Sequence, residues 1–376
     1  MREMDKGMPA KSLHEIRDPI HTFIRLETVE RDVLNSRPFQ RLRYIHQLAA
    51  TYLVYPGATH RRFEHSLGVM ELATRIYDTV MQKDNIEPRI ESILPDETGR
   101  LYWRRVLRLA ALCHDIGHLP FSHAGEKALL PDGWDHERLT IELIRSDEMC
   151  AIWNSMEPRI DPEHIAALAT SKTPISDVKS RLWQLVLRDI IVGDAFGADR
   201  MDFLLRDSLH AGVAYGRFDH HRLIDSLRIL PEPRVDEADE DRPPTLGLEE
   251  GGIYTAEALL LARYFMYQQV YFHHVRRAYD IHLIDFLRAW LSDGYPIDPS
   301  QHPVDLSRHL AMNDNVVLAA MEDAAFNPQA VGHDPARRFI TRDHFRLLYS
   351  RRPQDVAVNP NAGAAIFDGL REHFSA

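Results

Sequence analysis

The stretch LCHDIGHLPFSH, residues 112–123, sets His114, Asp115, His118 and His123 directly behind the apolar run LRLAAL. A histidine–aspartate pair at a helix end offers a ring nitrogen and a carboxylate. It becomes a metal site only when other elements add ligands. Two candidates are present: His65 on the inward stripe of HRRFEHSLG, and Asp199 at the start of DRMDFLLRD. Each residue alone has an ordinary reading. His65 would be a core histidine, Asp115 a loop hydrogen-bonder and Asp199 a helix N-cap. Their joint occurrence in this order points instead to a mixed nitrogen and oxygen site across three helices. Such a set suits a divalent ion, Mn, Mg, Fe, Ni, Co or Zn, with open positions for a water and a phosphate oxygen.

A phosphate ligand calls for cations, and the same stretches carry them. Arg62 lies at the start of the His65 helix, and Arg200 follows Asp199. Arginine suits phosphate because its planar fork bonds two oxygens at once. Arg263, Tyr267, Tyr271 and His274 fall on one helical stripe, and Asp199, Phe203, Asp207 and His210 share another face. For the aromatic positions, helix packing explains the spacing as well as binding does.

The elements that must position these groups read as helices. FEHSLGVMELATRIYDTVM places His65, Val69, Leu72 and Ile76 on one stripe. LYWRRVLRLAALCHDIG is a second helix, stopped at Gly117 with Pro120 beyond. HERLTIELIRS and PEHIAALA are shorter ones, and LVLRDIIVGDAFGADRMDFLLRDSLH is helical on both sides of a glycine joint. The longest pattern is TAEALLLARYFMYQQVYFHHVRRAYDIHLIDFLRAWL. PEPRVDEADEDRPPT, residues 231–245, is acidic and proline-rich, hence an exposed loop, and the flanking LRIL and LGL suit a hairpin. The expected fold is all-α. Residues 1–230 form a catalytic core, 231–245 the loop, and 246–376 a C-terminal helical lobe. The tail after Tyr349 reads as irregular.

Composition bounds the function. A net charge of −11 argues against a general binder of nucleic-acid backbone, while leaving room for a small basic pocket. Two cysteines imply no disulfide framework and a reducing compartment. The N-terminus lacks the apolar core of a signal peptide, and no apolar run is long enough to span a bilayer. A cytoplasmic protein without membrane partners is expected.

The chain resembles the HD-domain deoxynucleoside triphosphate triphosphohydrolases, namely the bacterial enzymes and the catalytic domain of the animal SAM-and-HD-domain enzyme. The carrying stretches are IRDPIHTFIRL, RPFQRLRYIHQL, YPGATHRRFEHSLGVMELA, LCHDIGHLPFSH, ADRMDFLLRDSLHAGV and VYFHHVRRA. The resemblance implies that His65, His114, Asp115 and Asp199 are the metal ligands. It implies that His118 and His123 lie along the triphosphate, that His136 is the catalytic histidine and that Glu126 orients it. Arg263 and Tyr271 match positions that contact phosphate and sugar, and Asp207 matches a sugar contact. Gln47 and Leu48 match positions that close on deoxyribose and exclude a 2′-hydroxyl. The implied reaction is attack of a metal-associated water on the α-phosphorus of a dNTP, releasing deoxynucleoside and triphosphate. The implied assembly is a dimer, tetramer or hexamer.

Several positions depart from the family. Phe203 stands for tyrosine, Arg200 for lysine, Glu126 for aspartate, His274 for lysine and Phe272 for a polar residue near the base. Arg17 and Asn35 replace residues that hold an activating guanine nucleotide, which argues against dGTP activation and leaves another activator open. Two other readings stand beside the leading one. An HD phosphohydrolase could act on another nucleotide, as a nucleotidase or phosphodiesterase. A nucleotide- or single-stranded-nucleic-acid-binding protein could carry a vestigial site.

Overall fold

The computed structural model describes residues 13–374 except 176, 178, 232–242, 293, 296 and 298–303. The chain enters through a hairpin, β1 (Leu13–Asp18) paired antiparallel with β2 (Thr22–Glu27). Its turn is closed by Asp18, whose carboxylate accepts from the backbone N–H of Ile20 and His21 at 2.8 and 2.9 Å. The helical reading of the sequence placed no strand here, although a D-P turn between alternating segments was the signal.

Two short helices follow, α1 (Thr28–Asn35) and α2 (Arg37–Arg41), the latter with Pro38 in its first turn. The central helix is α3 (Arg62–Val80), buried nearly all round as befits a helix packed on every side. Against it lie α4 (Glu97–Cys113), α9 (Arg181–Val192), α10 (Ala198–Ala211) and α11 (His220–Ser226). The first of these ends at Cys113 rather than at Gly117, so His114 is its C-cap and Asp115 begins the loop. Short helices α5 (Glu126–Leu129), α6 (His136–Ile144), α7 (Asp147–Ser155) and α8 (Pro162–Ala169) fill the interval. The hairpin expected around residue 231 is present, β3 (Leu227–Leu230) with β4 (Thr245–Leu248). Most of its acidic tip lies outside the described residues.

The longest helical pattern is not one helix. It divides into α12 (Ile253–Met266), a π-helical turn at Tyr267–Tyr271, and α13 (His274–Trp290). A π turn adds a residue per turn and shifts the register, so the stripe expected from Arg263 to His274 is broken. The chain closes with α14 (Ser307–Ala311), α15 (Asp314–Ala325), α16 (His333–Ile340), α17 (Pro353–Val358) and α18 (Ala362–Phe374). The last two correct the irregular tail expected from sequence. No residue on either is buried, so no core-facing apolar stripe was required of them. Among the described residues no helix is long and apolar enough to cross a membrane.

Candidate active site and metal centre

Packing of α3, α4 and α10 brings His65, His114, Asp115 and Asp199 together. His65 Nε2 lies 3.1 Å from Asp199 Oδ1 and 3.7 Å from Asp115 Oδ2. His114 Nε2 lies 3.4 Å from Asp115 Oδ1 and 3.7 Å from Asp199 Oδ1. An ion held at about 2.1 Å keeps adjacent ligand atoms roughly 3 Å apart, so these separations fit one ion. The hydrogen bonds of the rings make the same point. His114 Nδ1 is 2.8 Å from the Ala111 carbonyl, and His65 Nδ1 is 2.8 Å from Asp202 Oδ2. Both Nδ1 atoms must therefore carry the hydrogen, which turns each bare Nε2 toward the cluster. His114 Nε2 is buried and has no hydrogen-bond partner among the described residues. Two neutral imidazoles and two carboxylates match the charge of a divalent ion. Without the ion, the site draws a proton instead. Burial lowers the pKa of His65, but its bonds to Asp199 and Asp202 and the nearby carboxylate charges outweigh that and push it up to about 10.

Asp202 was not singled out from sequence, although it stands three residues after Asp199. It is fully buried and accepts from His65, from His21 Nε2 at 2.8 Å, and from Arg206 Nε and Nη2 at 2.8 and 2.9 Å. Arg206 in turn reaches Asp18 at 2.9 Å. The N-terminal hairpin is thus tied to the back of the site. Gly68 permits the approach, since a Cβ there would stand 1.9 Å from Asp202 Oδ1.

The loop after α4 builds a second group. His136 Nδ1 lies 3.1 Å from both oxygens of Glu126, and His123 Nδ1 also lies 3.1 Å from Glu126 Oε2. These bonds hold the Glu126 carboxyl well below its usual range, against the effect of burial. The His118 ring stacks on His136 at 4.0 Å, and its Nε2 lies 3.3 Å from Asp115 Oδ1. Burial, with the charges of Arg62 and His136 nearby, pushes His118 well below the usual histidine range. His136 is the first residue of α6, whose N-cap Asp135 accepts from Arg138 N at 2.9 Å. Gly117 lets α6 approach, because a Cβ there would meet the His136 carbonyl at 2.3 Å. Arg62, expected as a phosphate cation, here pairs with Asp115 and donates to Ser122 Oγ at 2.9 Å.

A cavity of about 930 Å³ joins these groups. All the sequence-predicted site residues line it except His65, which lies behind Asp199 and His114, and Arg263. Arg263 donates to the Asp194 carbonyl at 3.3 Å and lies over the Tyr267 ring. Arg200 pairs with the Asp194 side chain. On the wall beyond Phe203, Tyr271 donates to Asp207 Oδ2 at 2.7 Å, and His60 Nε2 holds Asp207 Oδ1 at 2.7 Å. Burial and the Asp207 charge push the Tyr271 hydroxyl well above its usual range, so it stays a donor. The Gln47 backbone N–H donates to the His60 carbonyl at 3.0 Å, and its buried Oε1 has no partner among the described residues. His274 does not line the cavity. Arg276, Arg277 and Arg288 on α13 do, and sequence reasoning missed them. Their signal was the helical spacing of Arg277, Ile284 and Arg288.

Residues 62–172 match the HD domain family, and residues 218–359 match the HD associated region. The uncharacterised protein YwfO of Bacillus subtilis is 31% identical over 375 residues, covering 95% of this chain and 75% of its own. The deoxynucleoside triphosphate triphosphohydrolase SAMHD1 of Mus musculus is 30% identical over 386 residues, covering 90% of this chain and 56% of its own. The chain therefore spans little more than half of the mouse protein. A hypothetical protein from Aquifex aeolicus, solved by crystallography at 2.0 Å, has the same fold with a TM-score of 0.70 and 33% identity, over 92% of this chain and 80% of that one.

Proposed function

This chain belongs to the HD-domain family of deoxynucleoside triphosphate triphosphohydrolase-like proteins, and we propose that it hydrolyses dNTPs to deoxynucleoside and inorganic triphosphate. The observation that carries the reading is the pairing, in one cavity, of a converging His65, His114, Asp115 and Asp199 set with the Glu126–His136 couple. Those four residues would hold a divalent ion, which when bound neutralises phosphate charge and acidifies water. Arg200 and Arg62 would meet phosphate oxygens, trading their present carboxylate partners for a more charged ligand. Glu126 accepts from His136 Nδ1, which keeps the ring oriented with Nε2 free to hand a proton to the departing O5′. Breaking the bond between the α-phosphorus and O5′, with oxygen from water replacing it, leaves the three phosphates joined. Asp207, Tyr271 and the unpaired Gln47 Oε1 offer polar contacts to a sugar, and Leu48 packs beside them as an apolar wall.

Self-association is part of the same reading. Ile253, Tyr254, Leu260, Leu261, Tyr264 and Phe265 stand exposed on α12, an apolar face that marks an interaction surface.

Product analysis tests the proposal. The full chain with Mn or Mg is incubated with each dNTP, singly and mixed, and products are resolved by ion-pair chromatography. Deoxynucleoside with intact triphosphate is expected, and the mixtures show whether an activator is needed. Release of dNMP with pyrophosphate, or of dNDP with phosphate, would refute the assignment.

A further inference from the structure

The loop that carries His118 and His123 contains two adjacent strained residues. Phe121 has φ +55° and Ser122 φ +59°, and neither is glycine. Both are buried. A left-handed conformation at such residues is unfavourable and persists only where the surroundings enforce it. The enforcing group comes from the C-terminal region. Asp314, the first residue of α15 and fully buried, accepts from Phe121 N–H at 2.7 Å through Oδ1. Its Oδ2 accepts from the backbone N–H of His46 at 2.8 Å and lies 2.6 Å from His46 Nδ1, a ring nitrogen that Arg61 Nη1 also approaches at 2.6 Å, with Arg61 3.9 Å from the carboxylate.

The chain of bonds continues to the site. The His46 carbonyl accepts from Ser122 Oγ at 2.9 Å, Ser122 Oγ accepts from Arg62, and Arg62 pairs with Asp115. A second tie runs in parallel. Arg41 donates to the Met312 carbonyl and to the His118 carbonyl, both at 2.7 Å. Residues 312–314 therefore hold the loop at His118 and again at Phe121.

We propose that Asp314 is a positioning residue of the active site: it keeps the Phe121–Ser122 turn left-handed and so fixes where His118 and His123 stand relative to Glu126 and His136. The catalytic consequence rests on the function proposed above; the clamp itself does not.

The first test is therefore independent of substrate. Amide hydrogen exchange of the full chain is compared between wild type and Asp314→Asn, without nucleotide. An asparagine can still accept from Phe121, but its amide nitrogen cannot accept from the backbone N–H of His46. Exchange across residues 117–124 should rise at least tenfold while α3 and α10 keep their protection. Unchanged exchange in that segment overturns the proposal. Should Asp314→Asn fail to fold, His46→Ala removes the imidazole contact to Asp314 and should raise exchange in the same segment by a smaller factor. An unaltered segment there overturns it equally. Glu322→Gln, an exposed acid on the same helix, serves as the control, and an equal rise there would also sink the idea. Turnover then tests the consequence. With dNTP and Mn, Asp314→Asn should lower kcat at least tenfold with KM within about threefold and metal content unchanged. A lower melting temperature with kcat intact would reduce Asp314 to a structural role. If wild type turns over no dNTP, the proposed function fails while the exchange result still decides the clamp.

Discussion

Replacing Asp202 by asparagine should weaken both the fold and metal binding, through one buried carboxylate. Asp202 now accepts from four nitrogen atoms: His21 Nε2, His65 Nδ1, Arg206 Nε and Arg206 Nη2. Asparagine supplies one acceptor oxygen, so an N–H of His21, His65 or Arg206 must face an amide N–H₂. Arg206 would remain buried with only Asp18 as its charged partner. Breaking a buried ion pair from one side costs about 3–5 kcal/mol. At roughly 2 °C per kcal/mol for a chain of this size, the melting temperature should fall by about 6–10 °C. His65 would also lose the acceptor that fixes its tautomer, and loss of such a partner lowers metal affinity about 10–100-fold. Thermal unfolding measures the first effect and chelator competition with Mn or Zn measures the second. A variant that is destabilised yet binds metal with wild-type affinity would refute the claim that Asp202 aims His65 at an ion.

Metal binding should release a proton. Metal-free His65 titrates at about 10, so it is protonated at pH 7.5 and must lose that proton to bind through Nε2. Calorimetry in two buffers of different ionisation enthalpy should report at least one proton released, since the pKa of His114 is raised as well, and affinity should rise with pH. Gly117→Ala should displace the start of α6, because the new Cβ meets backbone at 2.3 Å, and turnover should drop at least tenfold with a stability loss of about 1–3 kcal/mol. Stability should also fall as the solution is acidified from pH 7 to 5. Burial and the Arg41 charge push His309 well below the usual histidine range, so below pH about 6.5 the unfolded chain binds a proton that the folded one does not. The contribution is complete above the unfolded value and is lost toward the folded one, with a slope of at most about 1.4 kcal/mol per pH unit. His309→Gln, which still offers Tyr295 a hydrogen-bond partner, should flatten that part of the profile in urea unfolding measured across pH.

What the sequence determined by itself was the set of groups and the helices that bear them. His114 and Asp115 at the end of an apolar run, His65 on an inward stripe and Asp199 in the first turn of DRMDFLLRD are legible because helical periodicity is local. The hairpin around the acidic loop was legible for the same reason. The roles of Glu126 and His136 came from a resemblance rather than from spacing, and the fold sets the two groups within hydrogen-bond distance.

Tertiary structure alone decided what holds these groups in place. His21 and Asp202 are 181 residues apart, and Phe121 and Asp314 are 193 apart. No local pattern distinguishes such an aspartate from a solvated one, because its partners are chosen by how helices and loops pack. The π turn at Tyr267–Tyr271 follows the same logic. Its residues fit a regular helix equally well, and only packing in the finished fold selects the extra residue that ends the Arg263 stripe and turns Arg276 and Arg277 toward the cavity.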